Sequence, residues 1–275
     1  MPSLSVPLFH RDYGGAGLPP LVILHGMLGS SRNWQSTGQD LSVRFHVFAV
    51  DLRNHGGSPH GEPMTYEAMA GDVAGWLDER GLERVTLMGH SMGGKVAMLL
   101  ACREPGRVAR LVVVDVAPKN YHWVANRESF AAMNELDLST LPSRAAAERK
   151  MQTRVASWAM RQFLLTNLGR DETGKWKWLI DLPVMTAALP TLEANPMAPG
   201  DRYSGPTLVI AGNKSDYVRP EDRTAILDHF PAARIEIIGS AGHNPHIEAR
   251  EEFVLTVLST IAATPRENPP KPPTH

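Results

Sequence analysis

The chain has 275 residues, a formal net charge of −1 and 43% hydrophobic residues. That length is enough for one large domain with a substantial buried core, or for a core domain that carries an insertion. Acidic and basic residues are interspersed and nearly balanced, which argues against a nucleic-acid partner or an anionic membrane surface.

Several features of the sequence bear on the cellular compartment of the protein and on the end of its folded domain. No stretch has the length and apolarity of a transmembrane span, and the first residues lack the charged and apolar regions of a signal peptide. Cys102 is the one cysteine of the chain, so no internal disulfide can form and a reducing, cytoplasmic setting is expected. Residues 264–275 are rich in proline and polar side chains, and we predict that they form a disordered tail.

Short apolar runs alternate with longer stretches of helical character along most of the chain. The short runs contain β-branched residues, as buried strands do, and the longer stretches have helical spacing or a capping residue such as Thr65. We predict strands at residues 18–26, 45–51, 85–88, 108–115, 206–212 and 234–239. We predict helices at residues 30–41, 66–80, 95–101, 220–229 and 250–262. This alternation indicates a mostly parallel central sheet with helices on both faces.

The alternation stops between residues 119 and 203. No β-type run occurs there, and helical patterns rich in Ala, Arg and Trp replace it. We therefore predict an α/β core formed by residues 1–118 and 204–263, with a helical cap formed by residues 119–203. The cap is expected to lie over the pocket of the core.

The most informative motif is Gly89-His90-Ser91-Met92-Gly93. It lies between a predicted strand and a predicted helix, and its glycines allow a sharp turn with unusual backbone dihedrals. A serine at the apex of such a turn has an exposed hydroxyl and a backbone N–H at a helix N-terminus. This arrangement is the nucleophile elbow, and it predicts that Ser91 is a catalytic nucleophile.

A serine hydroxyl needs a base that takes its proton, and in this motif the chain order is serine, then acid, then histidine. His243 follows the last predicted strand in a loop of small residues, 240–242, and is the predicted base. His246 lies close by, which raises the question of a metal pair. Pro245 separates the two histidines and no third ligand adjoins them, so we predict no metal site.

Two aspartates are candidates for the acid that orients the base. Asp115 ends the strand after the elbow unit, and Asp216 lies just past the strand that precedes the last one. Both are expected at the carboxyl edge of the sheet, where ligands gather in open α/β folds. Either could instead cap a loop. The residues by themselves leave both assignments open.

An acyl-transfer site also needs two N–H donors for the oxyanion. We predict that the backbone amide of Met92 is one of them. The amide of Met27, in the turn after the first predicted strand, is the better candidate for the other, with Leu28 as the weaker one. His25 is expected to border the pocket and tie down this turn, whereas His90 is expected to face away from the nucleophile and support packing.

Several segments together resemble the α/β-hydrolase superfamily across almost the whole chain. They are LHGMLGSSRNW at 24–34, DLRNHGGS at 51–58, GHSMGG at 89–94 and GSAGH at 239–243. More narrowly, DLRNHG, MTYEAMAGDV, GHSMGGKVAM, LVVVDVAP, RQFLLTNL and KWKW resemble the ABHD11/YbfF-type serine esterases. The matches within the insertion make this narrower resemblance specific, because caps vary widely.

The resemblance implies a serine carboxylesterase that hydrolyses small acyl esters or thioesters without a cofactor. In that family the aspartate that matches Asp115 is usually taken as the acid and the position of Asp216 is often not acidic, so the resemblance favours Asp115. The chain departs from the family at Asn244, where the residue after the histidine is usually aromatic. Because Ser91 stands at the apex, relatives that use aspartate there, the epoxide hydrolases and haloalkane dehalogenases, are excluded.

The predicted cap supplies candidate substrate contacts, each of which could instead pack small helices against the core. They are Tyr121, Trp123, Arg161, Phe163 and Trp178. An apolar pocket of this kind favours a neutral acyl chain. Two other functions stay open: a C–C bond hydrolase or perhydrolase with the same residues, and a ligand-binding receptor with negligible turnover.

Overall fold

A computed structural model of the chain describes residues 5–262. Within this part there are nine strands: β1 His10–Asp12, β2 Pro20–Leu24, β3 His46–Val50, β4 Val85–His90, β5 Val108–Val114, β6 Leu168–Arg170, β7 Trp176–Trp178, β8 Thr207–Gly212 and β9 Ala233–Ile238. The same part has eleven α-helices: α1 Gln35–Leu41, α2 Tyr66–Glu79, α3 Met92–Arg103, α4 Val124–Asn134, α5 Arg144–Met151, α6 Trp158–Leu165, α7 Leu182–Ala187, α8 Leu189–Glu193, α9 Arg223–His229, α10 Pro245–Glu248 and α11 Arg250–Ala262. The predicted tail, 264–275, lies outside the described residues.

Seven strands form one sheet in the order β1-β3-β2-β4-β5-β8-β9. All neighbours are parallel except β1, which pairs antiparallel with β3. All six predicted strands are present, and the mostly parallel sheet is confirmed. The prediction omitted β1, which is only three residues long and contains the charged pair Arg11 and Asp12.

Helices cover both faces of the sheet, and the alternation of side chains along each strand explains why. In β2, Leu21 and Ile23 join the apolar cluster that includes Phe253 of α11. Val22 and Leu24 point to the opposite face and join the cluster that includes residues of α2 and α3. Successive side chains of a strand face opposite sides, so a run buried on both faces must be apolar throughout.

The segment between β5 and β8 contains helices α4 to α8 and the hairpin of β6 and β7, which form a separate two-stranded sheet. The expectation that this segment has no strand was wrong. Each strand has three residues, paired between Leu168 and Trp178 at one end and between Arg170 and Trp176 at the other. Three residues are too few to produce a period-two pattern that can be distinguished from a loop. None of the helices in residues 5–262 is both long enough and apolar enough to cross a membrane.

A buried lysine joins this segment to the helix that follows the elbow. Lys95 of α3 is fully buried, and its Nζ donates to the carbonyl oxygens of Ala194 at 2.6 Å and Glu193 at 3.3 Å. Three aromatic rings lie 4.8 to 5.4 Å from this ammonium group: Tyr66, Tyr121 and Trp123. Carbonyl acceptors and ring faces are the partners that a buried cation requires.

Burial lowers the pKa of Lys95 from 10.5 to about 7, against a smaller opposing effect of the Glu193 carboxylate. The unfolded chain therefore binds more protons than the folded chain between these two values. Under the linkage relation, the free energy of unfolding rises with pH across that window. The neighbouring hydroxyls do not titrate there, because burial raises the pKa of Tyr66 and Tyr121.

We expect Lys95→Met to remove this rise. Between about pH 7 and about pH 9.5, the free energy of unfolding of the parent protein should increase by a few kcal/mol at most relative to the variant. Urea unfolding at the two pH values measures the difference. Lys150→Met, which removes an exposed lysine, is the control and should keep the rise. Parallel pH dependence in the parent and Lys95→Met would contradict the account.

Candidate active site

The carboxyl ends of the parallel strands bring distant loops to one edge of the sheet. The strands β4, β5, β8 and β9 end at His90, Val114, Gly212 and Ile238. The residues that follow them include the predicted nucleophile, both predicted acids and the predicted base. Ligands bind outside the carboxyl ends of the strands in open α/β sheets, so this edge is where a site is expected.

Ser91 lies in a strained turn between β4 and α3. Its backbone dihedrals, φ of 51° and ψ of −118°, lie in a region that residues other than glycine rarely adopt. The turn is fixed because the Ser91 amide donates to the carbonyl of Val114 at 3.0 Å. A Cβ at Gly89 would lie 2.1 Å from the carbonyl oxygen of Gly93, and one at Gly93 would lie 2.5 Å from that of His25. Only glycine permits these approaches, so the turn requires the motif found in the sequence.

The structure brings His243 to Asp115. The Nδ1 of His243 donates to Oδ2 of Asp115 at 2.7 Å. Asp115 is fully buried, and its carboxylate also accepts from the Gly212 amide at 3.0 Å and from the Ser215 hydroxyl. A proton held on Nδ1 leaves Nε2 of the same ring as the acceptor.

The structure places the other candidate acid away from this pair. The side chain of Asp216 is 90% exposed and faces the guanidinium of Arg219 at 3.5 Å. The chain turns between Ser215 and Asp216, so Ser215 points to Asp115 while Asp216 points to solvent.

The loop that carries His243 is held by hydrogen bonds on both sides. The backbone carbonyl of His243 accepts from Nε2 of His90 at 2.8 Å. The carboxylate of Glu248 accepts from the amides of Gly242 at 2.6 Å and Asn244 at 3.0 Å. Burial lowers the pKa of His90 well below 6.5, with a smaller effect from the charge of His243, so His90 stays neutral and supports the loop.

The turn after β2 is held just as firmly. Nε2 of His55 accepts from the Leu28 amide at 3.3 Å. Asn167, in the segment between β5 and β8 that we call the inserted segment, donates to the Leu28 carbonyl at 2.8 Å. His25 accepts from the amide of Leu52 at 3.0 Å and donates to the Gly26 carbonyl at 2.8 Å. The turn is therefore tied to the following loop and to the inserted segment, and its amides have fixed directions.

A cavity of about 450 Å³ opens between this sheet edge and the inserted segment. Ser91 and His243 both line it, as do His25 and Met27 from the predicted set. The inserted segment contributes Asn126, Ser129, Ser157, Ala159, Met160, Phe163 and Leu164. Among the described residues, no lysine or arginine lines the cavity.

Four of the side chains predicted to line the pocket lie outside it. Arg161 pairs with Glu148 at 2.6 Å and donates to two backbone carbonyls of the segment. Tyr121 and Trp123 pack around Lys95, and Trp178 belongs to the small hairpin. Each of these four side chains has a partner within the inserted segment or in the core, which corresponds to the alternative packing role considered for them.

His246, the other histidine considered for a metal pair, is buried against Trp34. Their rings stack with centroids 4.0 Å apart. Burial, together with the charge of His243, lowers the pKa of His246 to about 3. Among residues 5–262, no group of three or more His, Cys, Asp or Glu side chains is arranged to hold a metal ion.

Comparison with known proteins gives the family. The family model for the alpha/beta hydrolase fold matches residues 19–250. This chain belongs to the α/β-hydrolase family. It is 39% identical over 256 residues to the mouse sn-1-specific diacylglycerol lipase ABHD11, covering 90% of this chain and 83% of that protein. It is 35% identical over 229 residues to esterase YbfF of Escherichia coli, covering 83% of this chain and 87% of that protein.

A solved structure of the same family has nearly the same fold. The esterase of a marine microorganism superposes with a TM-score of 0.90 at 33% identity, covering 93% of this chain and all of that one. These relatives are named as lipases and esterases. The α/β hydrolase described here is accordingly an enzyme that hydrolyses esters, and the predicted resemblance is confirmed.

Several residues that shape the site were not predicted from the sequence. They are Glu248, Asn167, Ser215 and Tyr217. Each acts across a long sequence separation or through the backbone. The only sequence signal was proximity: Ser215 and Tyr217 flank Asp216, and Glu248 follows His243 by five positions.

Proposed function

We propose that this α/β hydrolase is a serine carboxylesterase that forms an acyl-enzyme on Ser91. The observation that carries the proposal is the pairing of His243 with the buried carboxylate of Asp115 beside the cavity that Ser91 also lines. A buried aspartate that fixes the ring of a histidine near a strained serine turn is the arrangement that activates a hydroxyl for acyl transfer.

Two half-reactions follow from these roles. Ser91 Oγ attacks the ester carbonyl carbon, and Nε2 of His243 takes its proton while Asp115 stabilises the resulting imidazolium. The tetrahedral intermediate collapses as His243 returns the proton to the departing alcohol or thiol. Water, deprotonated by the same nitrogen, then attacks the acyl-enzyme, and His243 gives that proton to Ser91 Oγ as the carboxylic acid leaves.

The backbone amides of Met27 and Met92 are the proposed oxyanion donors. The amide of Met92 is in the first turn of α3, where N–H groups have no acceptor within the helix. In residues 5–262 the amide of Met27 has no hydrogen-bond acceptor, whereas the adjacent amide of Leu28 is occupied by His55. This difference supports Met27 over Leu28 as the second donor.

We propose that residues 119–203 act as a cap that sets the substrate. The segment covers the cavity with Met160, Phe163 and Leu164, and Asn167 ties it to the turn of the proposed oxyanion site. A wall with these apolar side chains and no lysine or arginine favours a neutral acyl chain. The identity with the diacylglycerol lipases supports an acylglycerol among the substrates.

A matched pair of substrates tests this specificity. The p-nitrophenyl ester of a neutral fatty acid should have a kcat/KM at least about 100-fold higher than the ester of equal length that ends in a carboxylate, because a buried unpaired charge costs several kcal/mol. Steady-state hydrolysis of both esters, and of a diacylglycerol, measures this. Equal kcat/KM for the two p-nitrophenyl esters would contradict the proposed acyl site.

A further inference from the structure

We propose that Tyr217 is a positioning residue that holds the ring of His243 and stabilises it in its protonated form. The inference rests on the proposed function, since it concerns the histidine that shuttles the proton.

The two rings are stacked face to face. Their centroids are 3.7 Å apart and their planes differ by 21°. Asp115 contacts the Nδ1 edge of the same imidazole, and the ring of His90 lies tilted at 4.7 Å. The carboxylate of Glu248 is engaged by backbone amides of the loop. Within residues 5–262, Tyr217 is the ring that stacks on the imidazole of His243, while the Asp115 carboxylate contacts its Nδ1 edge.

Tyr217 is itself fixed on several sides. Its amide donates to the Ser215 hydroxyl at 3.2 Å, and its carbonyl accepts from the hydroxyl of Tyr121 at 2.7 Å. Its ring stacks on that of Tyr121 with centroids 5.3 Å apart. Asn126 of α4 lines the same cavity as Tyr217. The ring thus cannot turn without breaking contacts to both the core and the inserted segment.

The chemical consequence depends on the charge state of His243. An aromatic face attracts a cation through the ring quadrupole, and this attraction is strengthened where water is excluded. Burial raises the pKa of the Tyr217 hydroxyl to about 12, so the ring stays neutral at working pH. The attraction is stronger once His243 has taken the proton of Ser91. An interaction that is stronger in the transition state than in the ground state raises kcat rather than substrate affinity.

The test compares two substitutions at this position in the full-length protein. Tyr217→Phe keeps the ring and removes only the hydroxyl, and we expect a loss in kcat of no more than about threefold. Tyr217→Leu keeps an apolar side chain, smaller than that of tyrosine, but has no ring face. Its kcat should fall about 10- to 100-fold while KM changes by less than about threefold.

The outcomes separate this inference from the proposed function. Turnover by the parent protein that is lost in Ser91→Ala establishes the esterase by itself. If Tyr217→Phe loses as much kcat as Tyr217→Leu, the hydroxyl is responsible and the inference is wrong. If Tyr217→Leu raises KM and keeps kcat, Tyr217 is only a wall of the cavity and the inference is again wrong. Thermal unfolding of both variants shows whether any loss of kcat reflects an unfolded fraction.

Discussion

Replacing Ser91 with alanine is expected to lower kcat for ester hydrolysis by about 10⁶-fold, because the variant has no oxygen that can form the acyl-enzyme. The change removes one atom from a buried side chain. Steady-state hydrolysis of a p-nitrophenyl ester measures the loss, with the enzyme concentration raised until the residual rate can be separated from the uncatalysed reaction.

Ser259→Ala is the control for this experiment. Ser259 is exposed on α11, and its hydroxyl donates to the carbonyl of Thr256 in the same helix. Its substitution should leave kcat and KM at the parent values. Turnover by Ser91→Ala at a rate close to that of the parent would remove Ser91 from the mechanism.

Replacing Asp115 with asparagine should lower kcat by about 10⁴-fold, the size of loss found when an amide replaces the aspartate of such a triad and the histidine adopts the wrong tautomer. The fold should tolerate the change. Asp115 has a φ of 49°, a region in which asparagine is as acceptable as aspartate. Circular dichroism and thermal unfolding confirm that the purified variant is folded.

Asp216→Asn is the matched control, because it makes the same chemical change just past β8 at the same edge of the sheet. We expect kcat within about twofold of the parent, since this carboxylate is in solvent and its ion pair with Arg219 is worth little. A large loss in Asp216→Asn with a small loss in Asp115→Asn would reverse the assignment of the acid.

The sequence predicts the architecture well where local pattern and tertiary environment agree. Strands buried on both faces must be largely apolar, so β2, β3 and β5 stand out as short runs of mostly apolar residues. The elbow can also be predicted from the sequence, because a side chain at Gly89 or Gly93 would clash with neighbouring backbone atoms. The motif and its place between a strand and a helix are therefore sufficient to predict Ser91 as the nucleophile.

The acid could not be chosen from local pattern, since Asp115 and Asp216 both follow strands of the same sheet. The choice depends on which way each side chain points after its turn, and that is set by contacts with Gly212 and Ser215. The resemblance to a known family favoured Asp115, and the structure brings that residue to His243.

The walls of the cavity were the least predictable part. Arg161 was predicted to contact the substrate, but Glu148 lies close enough to pair with it. Tyr217 was not predicted, although its ring lies on His243. Such pairings arise from tertiary packing, and no periodic pattern of residues in the sequence predicts them.

Covalent trapping of the nucleophile tests the role of Ser91. The parent protein should react with one equivalent of a fluorophosphonate, and peptide mass spectrometry should find the adduct on Ser91 as ester turnover falls in proportion. Ser91→Ala should remain unlabelled, and Asp115→Asn should be labelled far more slowly than Asp216→Asn. Labelling at another residue, or full ester turnover by the fully labelled protein, would contradict the account.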